Sequence, residues 1–179
     1  MPPSDLFVEA LAPHHDRANF FCGIDDLDRY LKTQAGQDVR RKANGVFVLV
    51  EAARPDAVLG YYTLCATSLP QGEIPATARK SLPRYPLVSA ILIGRLAVCA
   101  ARQGQRLGAL LLADAMHRVY AAAATIGASM MMVDAINERA ASFYVAHGFV
   151  RLPESLRAVL PMEVVKRLVG QAGGASERL

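Results

Sequence analysis

The stretch from Ile91 to Leu112, ILIGRLAVCAARQGQRLGALLL, constrains the fold more than any other part of the chain. It opens as an apolar run of strand length in which Arg95 is the one charge between Ile91 and Cys99, the pattern of a strand buried on both faces. Gln103 to Gly108 then supply the small and amide residues of a tight turn. Leu107, Leu110, Leu111 and Ala115 follow at helical spacing. A strand, a glycine-containing turn and a helix N-terminus present free backbone N–H groups and a favourable dipole, and so suit an anion. The anion site is not a nucleotide P-loop, because no Gly-Lys-Ser/Thr follows, and the G-x-G-x-x-G dinucleotide spacing is absent.

The elements around this centre follow in chain order. Asp5–Leu11 reads as an edge strand. Asp25 is placed as the N-cap of a helix whose buried stripe is Ile24, Leu27, Tyr30 and Leu31. Gly36 is expected to break it from a second short helix carrying Arg40, Arg41 and Lys42. Val46–Glu51 and Val58–Thr67 form a hairpin across Arg54-Pro55-Asp56. Four prolines (Pro70, Pro75, Pro83, Pro86) make Ser68–Leu87 an irregular connection. Downstream, Ser129–Ala135 is a buried strand and Asn137–His147 a helix closed by a left-handed Gly148. Val159–Val165 is expected as a last strand, and Gly170–Leu179 as a disordered tail.

The length of 179 residues, 53% of them hydrophobic, suits one globular domain over 1–179 with its core in about 5–168. No signal peptide and no membrane-spanning apolar run is legible, which points to the cytoplasm. Cys22, Cys65 and Cys99 are scattered and odd in number, as reduced thiols are. His14, His15, His117 and His147 lack zinc spacing with any cysteine, so surface or helix-end roles and no metal are expected.

Net charge is only +4, but no acidic residue occurs from Ile74 to Ala113. That window holds Arg79, Lys80, Arg84, Arg95, Arg102 and Arg106. Such a field collects anions. Arg40, Arg41, Lys42, Arg79, Lys80 and Arg84 exceed what a small anionic cofactor needs, and they are the candidate nucleic-acid contacts. Ordinary solubilising charge is the bland alternative.

The string Arg95-Leu96-Ala97-Val98, the turn Gln103-Gly104-Gln105-Arg106-Leu107-Gly108, and Asn137, Ala140, Ala141, Phe143, Tyr144, Gly148 and Phe149 in NERAASFYVAHGF together resemble the GNAT superfamily of N-acetyltransferases. The resemblance implies an α+β fold: a central mixed, twisted sheet of six to seven strands flanked by helices. It further implies that acetyl-CoA is the co-substrate. Leu96, Ala97 and Val98 would hold its pantetheine arm. The segment Gln103, Gly104, Gln105, Arg106, Leu107, Gly108 and Ala109 would hold its pyrophosphate, with Asn137 and Phe143 completing the cofactor contacts. Tyr144 would be the general acid. Arg106 departs from the family glycine at its position, and an arginine there could reach a phosphate bidentately.

Phe21-Cys22-Gly23, Gly60-Tyr61-Tyr62-Thr63-Leu64, Tyr85-Pro86 and Gly94-Arg95-Leu96-Ala97-Val98 extend the resemblance over Leu6–Leu168, to the GNAT toxins of bacterial toxin–antitoxin modules. These acetylate the α-amino group of aminoacyl-tRNA and stop translation. They are restrained by a ribbon-helix-helix antitoxin, and they often form homodimers. The absence of an evident general base fits such an acceptor, since an α-amino group near ~7.7 is substantially neutral where a lysine near ~10.4 is not. Two alternatives remain at this point: an acetyltransferase of a small amine or protein N-terminus, and a silent acyl-CoA- or antitoxin-binding module.

Overall fold

The computed structural model describes residues 5–174. In chain order the elements are β1 (Leu6–Ala10), α1 (Asp25–Thr33), α2 (Ala35–Arg41), β2 (Gly45–Glu51), β3 (Gly60–Pro70), α3 (Ala76–Arg79) and β4 (Leu87–Val98). Then come α4 (Leu107–Ile126), β5 (Met130–Asp134), α5 (Glu138–Ala146), β6 (Val150–Arg151), β7 (Arg157–Pro161) and α6 (Met162–Gly174). The strands form one seven-stranded sheet in the order β1-β2-β3-β4-β5-β7-β6. It is mixed: β4 and β5 run parallel, while β1–β2, β2–β3, β5–β7 and β6–β7 are antiparallel. The α+β architecture is as expected.

Two compact units divide the chain: Met1–Cys65 with Arg95–Asp114, and Ala66–Gly94 with Ala115–Leu179. In the first, α1 lays Leu27, Tyr30 and Leu31 on Val46, Val48, Val50 and Tyr61, the inward positions of β2 and β3. That packing is the amphipathic stripe read from the sequence, and burying each large side chain contributes roughly 1.5–3 kcal/mol. Gly60 sits where a Cβ would meet the Ala97 carbonyl at 2.8 Å, so only glycine lets β3 approach the end of β4. In the second unit, Met130 and Met132 of β5 pack with Val88, Ala90, Leu152 and Val159, and Ile74, Ala78 and Leu82 join them from the chain before β4. The methionines are core filling, as their spacing suggests.

Several boundaries differ from the sequence reading. Ile24, not Asp25, is the N-cap of α1, and it offers no side-chain bond. The gap between α1 and α2 falls at Gln34, leaving Gly36 inside α2, where a Cβ would lie 3.0 Å from Arg17 Nη1. Gly36 therefore makes room for a guanidinium instead of breaking a helix. The proline-rich connection is more regular than expected, because β3 runs on to Pro70, a 3₁₀ turn spans Gln71–Glu73, and α3 follows. Prolines at the N-cap of each, Pro70 and Pro75, start these turns rather than prevent them. The last strand ends at Pro161; residues 162–165 begin α6, which continues through Gly174, so residues 170–174 are helical. The rest of the expected tail, 175–179, lies outside the described residues. His15 is 4% exposed, neither on the surface nor at a helix end.

Candidate active site

The expected cofactor turn lies in the first unit. β4 pairs with β5 from Ala90–Met130 to Ile93–Val133, and β5 ends one residue later at Asp134. β4 runs on to Val98. Its last residues, Gly94 to Val98, therefore extend past the β5 ladder, and backbone groups on that side are left for another partner. A pantetheine arm, itself built of amides, is a chemical match for them. Leu96 and Val98 are half-buried and Ala97 buried.

After Val98 a 3₁₀ turn spans Ala100–Arg102, Gly104 is left-handed at φ +78°, and α4 starts at Leu107. Arg106 is left-handed too, at φ +60°. Glycine adopts this conformation without penalty, and this chain adopts it with a side chain attached. The Arg106 carbonyl accepts from Leu110 N at 3.2 Å, making residue 106 the cap of α4. A guanidinium cannot accept hydrogen bonds, so it satisfies no amide of the helix's first turn. The N–H groups of Leu107, Gly108 and Ala109 lack carbonyl partners within the helix, the arrangement that can receive an anion.

Side chains around this turn are largely committed. Arg102 donates through Nε to Gln105 Oε1 at 2.8 Å, and its Nη1 lies 3.9 Å from Glu51 Oε2. Gln103 Nε2 donates to two carbonyls, Cys22 at 2.9 Å and Val98 at 3.0 Å. What Gln103 and Gly104 can offer a phosphate is thus backbone, while Gln105 keeps its side-chain Nε2 and the exposed Arg106 side chain extends from the cap. Nearby, the Arg95 guanidinium stacks 3.6 Å over the Tyr30 ring. Tyr30 in turn donates its hydroxyl to Asp38 at 2.9 Å, beside a second bond from Asn44. Burial opposes the ionised Asp38, but the bonds from Asn44 and Tyr30 and the Arg95 charge outweigh it and hold the carboxyl below its usual range. Sequence reading missed the Arg95–Tyr30 pair, and nothing in either residue's local context signals it.

Tyr144 belongs to the second unit. α5, which carries it, begins at Asn137, whose side-chain oxygen accepts from Ala140 N at 2.9 Å. Asn137 is thus seen as a helix cap. Glu138 in the first turn is gripped by Arg151 through two bonds of 2.6 and 2.7 Å. At the other end Gly148 is left-handed at φ +99°, and Phe149 N returns to the Tyr144 carbonyl at 3.2 Å. The Tyr144 ring is held edge-on between Phe143 and Phe149, with centroids 5.2 and 5.5 Å away. It is 5% exposed, and burial drives its phenol well above the ordinary value. Tyr30, Tyr61 and Tyr62 each hydrogen-bond through their hydroxyls, to Asp38, the Leu27 carbonyl and Asp114. Tyr144 has no such partner among the described residues.

The cationic candidates fall in both units. Arg40, Arg41 and Lys42 are exposed at the end of α2, where the helix dipole favours them, and Lys42 is the left-handed cap. Arg79, Lys80 and Arg84 are exposed at the end of α3 and in the connection to β4. Glu9, His14 and His15 place their side-chain donors within 4.8 Å of one another. His15 Nδ1 accepts from Ala12 N at 2.9 Å, so in the neutral ring Nε2 carries the hydrogen and donates to Glu9 at 2.7 Å. This is the arrangement of a latch on β1, with no lone pair of His15 left for an ion. The described residues hold no helix long and apolar enough to cross a membrane.

No family model matches the chain. Among curated proteins, the tRNA-acetylating toxin of Mycobacterium tuberculosis is 33% identical over 156 residues, 87% of this chain and 91% of that protein. Among solved structures, AtaT complexed with acetyl-methionyl-tRNAfMet superposes with a TM-score of 0.83 at 31% identity, covering 92% of this chain and 99% of that one. A tyrosine-to-phenylalanine mutant of AtaT, bound to acetyl-CoA and the C-terminus of the antitoxin AtaR, matches with a TM-score of 0.77 at 29% identity, covering 92% and 98%.

Proposed function

Since the chain belongs to the family of GNAT-fold tRNA-acetylating toxins, we propose that it moves acetyl from acetyl-CoA to the α-amino group of an aminoacyl-tRNA and so blocks translation. It is the toxin half of a toxin–antitoxin pair, acting in the cytoplasm where charged tRNA is found. A ribbon-helix-helix antitoxin is its restraining partner, which accords with the AtaR segment bound to AtaT.

The chemistry needs a neutral amine, a fixed thioester and a proton for the departing sulfur. The coenzyme supplies the activated acetyl group and the thiolate leaving group. Amides at the start of α4 grip its pyrophosphate, and the end of β4 from Leu96 to Val98, which runs beyond the β5 ladder, aligns the pantetheine and polarises the thioester carbonyl. The amine lone pair attacks that carbon, the C–S bond breaks, and the thiolate takes a proton from Tyr144. The amine loses its extra proton to water, and Tyr144 regains one from water. A buried phenol keeps its proton across the working pH range, so Tyr144 is protonated when the thiolate leaves. Phe143 and Phe149 fix the ring, and Asn137 fixes the helix that bears it. Arg40, Arg41, Lys42, Arg79, Lys80 and Arg84 attract the tRNA backbone.

The observation that carries this reading is the enclosed Tyr144 with an uncommitted hydroxyl, in a chain whose relatives acetylate tRNA. The crystallised tyrosine-to-phenylalanine AtaT mutant directs the same attention to a tyrosine. The test is transfer of radiolabel from acetyl-CoA to bulk aminoacyl-tRNA. The wild-type protein labels it; Tyr144→Phe keeps the fold and the coenzyme affinity, lowers kcat roughly 10²–10⁴-fold, and no longer arrests growth. Undiminished transfer removes Tyr144 from the mechanism.

A further inference from the structure

The Phe20–Ile24 loop is tied down at several points within the first unit. Cys22 N donates to the buried Asp28 carboxylate at 2.8 Å, and the Phe21 carbonyl accepts from Ala100 N at 2.8 Å. The Cys22 carbonyl accepts from Gln103, whose second amide hydrogen holds Val98 at the end of β4. Phe20 is buried against Tyr61, yet its neighbour Phe21 is 58% exposed. The backbone bonds on either side of it fix the position of this ring, so its exposed face is presented in one place, as a stacking platform requires.

We propose that Gln103 is a positioning residue for the acceptor: it couples the cofactor turn to this loop and holds Phe21 as a stacking face for the unpaired 3′ end of the aminoacyl-tRNA. The proposal rests on the transferase reading above and adds how the acceptor is seated. Its basis is that the Gln103 amide is committed to Cys22 and Val98, and so cannot at the same time reach a phosphate. Cutting the amide removes the bridge between the Cys22 carbonyl and Val98 at the end of β4 while leaving the backbone N–H groups at the head of α4 untouched. Unpaired bases stack on exposed aromatic rings whatever their identity, which suits an end common to many tRNAs.

The experiment compares wild type, Gln103→Leu, Phe21→Ala and the double variant. Acetyl-CoA Kd is measured by calorimetry, and KM and kcat by label transfer to aminoacyl-tRNA. Both single variants should leave the acetyl-CoA Kd within about twofold and raise the KM for aminoacyl-tRNA about fivefold, the scale of one or two lost hydrogen bonds or a lost stack. The double variant should be no worse than the more impaired single one. A Gln103→Leu variant that loses acetyl-CoA affinity more than about fivefold overturns the proposal, as does a KM unchanged in either variant or additive losses. If Gln103→Leu does not fold, Phe21→Ala decides: its ring is mostly in solvent, and an unchanged KM refutes the seat. Absence of label transfer by the wild type would count against the transferase reading, while the calorimetric comparison would still report on Gln103.

Discussion

Arg106 holds a backbone conformation that costs a side-chain-bearing residue about 1–2 kcal/mol, and it does so at the head of the helix proposed above to receive the pyrophosphate. A β-branched residue there suffers most and glycine not at all. Arg106→Val should lower unfolding free energy by about 1–2 kcal/mol relative to Arg106→Gly, read from urea denaturation of the two variants. Arg106→Gly should bind acetyl-CoA with the turn intact, missing only the guanidinium. Legibility differs sharply among residues. The departure at Arg106 was visible in the chain, and so was Tyr144, because both sit in spaced motifs. The double bond of Gln103 to Cys22 and Val98, the Arg95–Tyr30 stack and the His15–Glu9 latch were not, since each depends on where distant or separately folded segments come to rest.

Elements were legible where hydrophobic period and turn chemistry agreed. The stripe of α1, the apolar run of β4 and the methionines of β5 each specify their own burial. Boundaries failed where one residue type has two uses. Asp25 could cap or occupy a first turn, Gly36 could break or merely make room, and proline could end an element or begin one. The helical turn of α6 at residues 162–165 reads as strand in the sequence because MEVV fits both periods. α5 offers a test at this scale. Asn137 satisfies the Ala140 amide, and removing a cap of this type costs about 1 kcal/mol. Asn137→Ala should show that loss by thermal denaturation together with reduced acetyl transfer, whereas Asn137→Asp should keep both stability and turnover near wild type.

Across the molecule, burial favours the neutral form of three phenols and one thiol. Burial raises the Tyr30, Tyr61 and Tyr144 phenols, with the Asp38 carboxylate adding to the effect on Tyr30, and burial pushes the Cys22 thiol up to about 11. A group whose folded value lies above its unfolded one contributes fully below the unfolded value. That contribution declines as pH rises toward the folded value, because the unfolded chain releases the proton first. The denaturation midpoint should therefore hold steady through neutral pH and fall progressively above about pH 9 to 10, as titration of urea melts would show. Steady stability to higher pH would contradict the enclosure of these groups.

The seven-stranded sheet is unfinished along one seam, where β4 outlasts β5 by the residues Gly94 to Val98. A strand edge left this way invites any extended amide chain to complete it. If the coenzyme arm is the chain that completes it, as proposed, the loaded state is the one in which the backbone is most fully paired, and the empty one is the state open to other peptides.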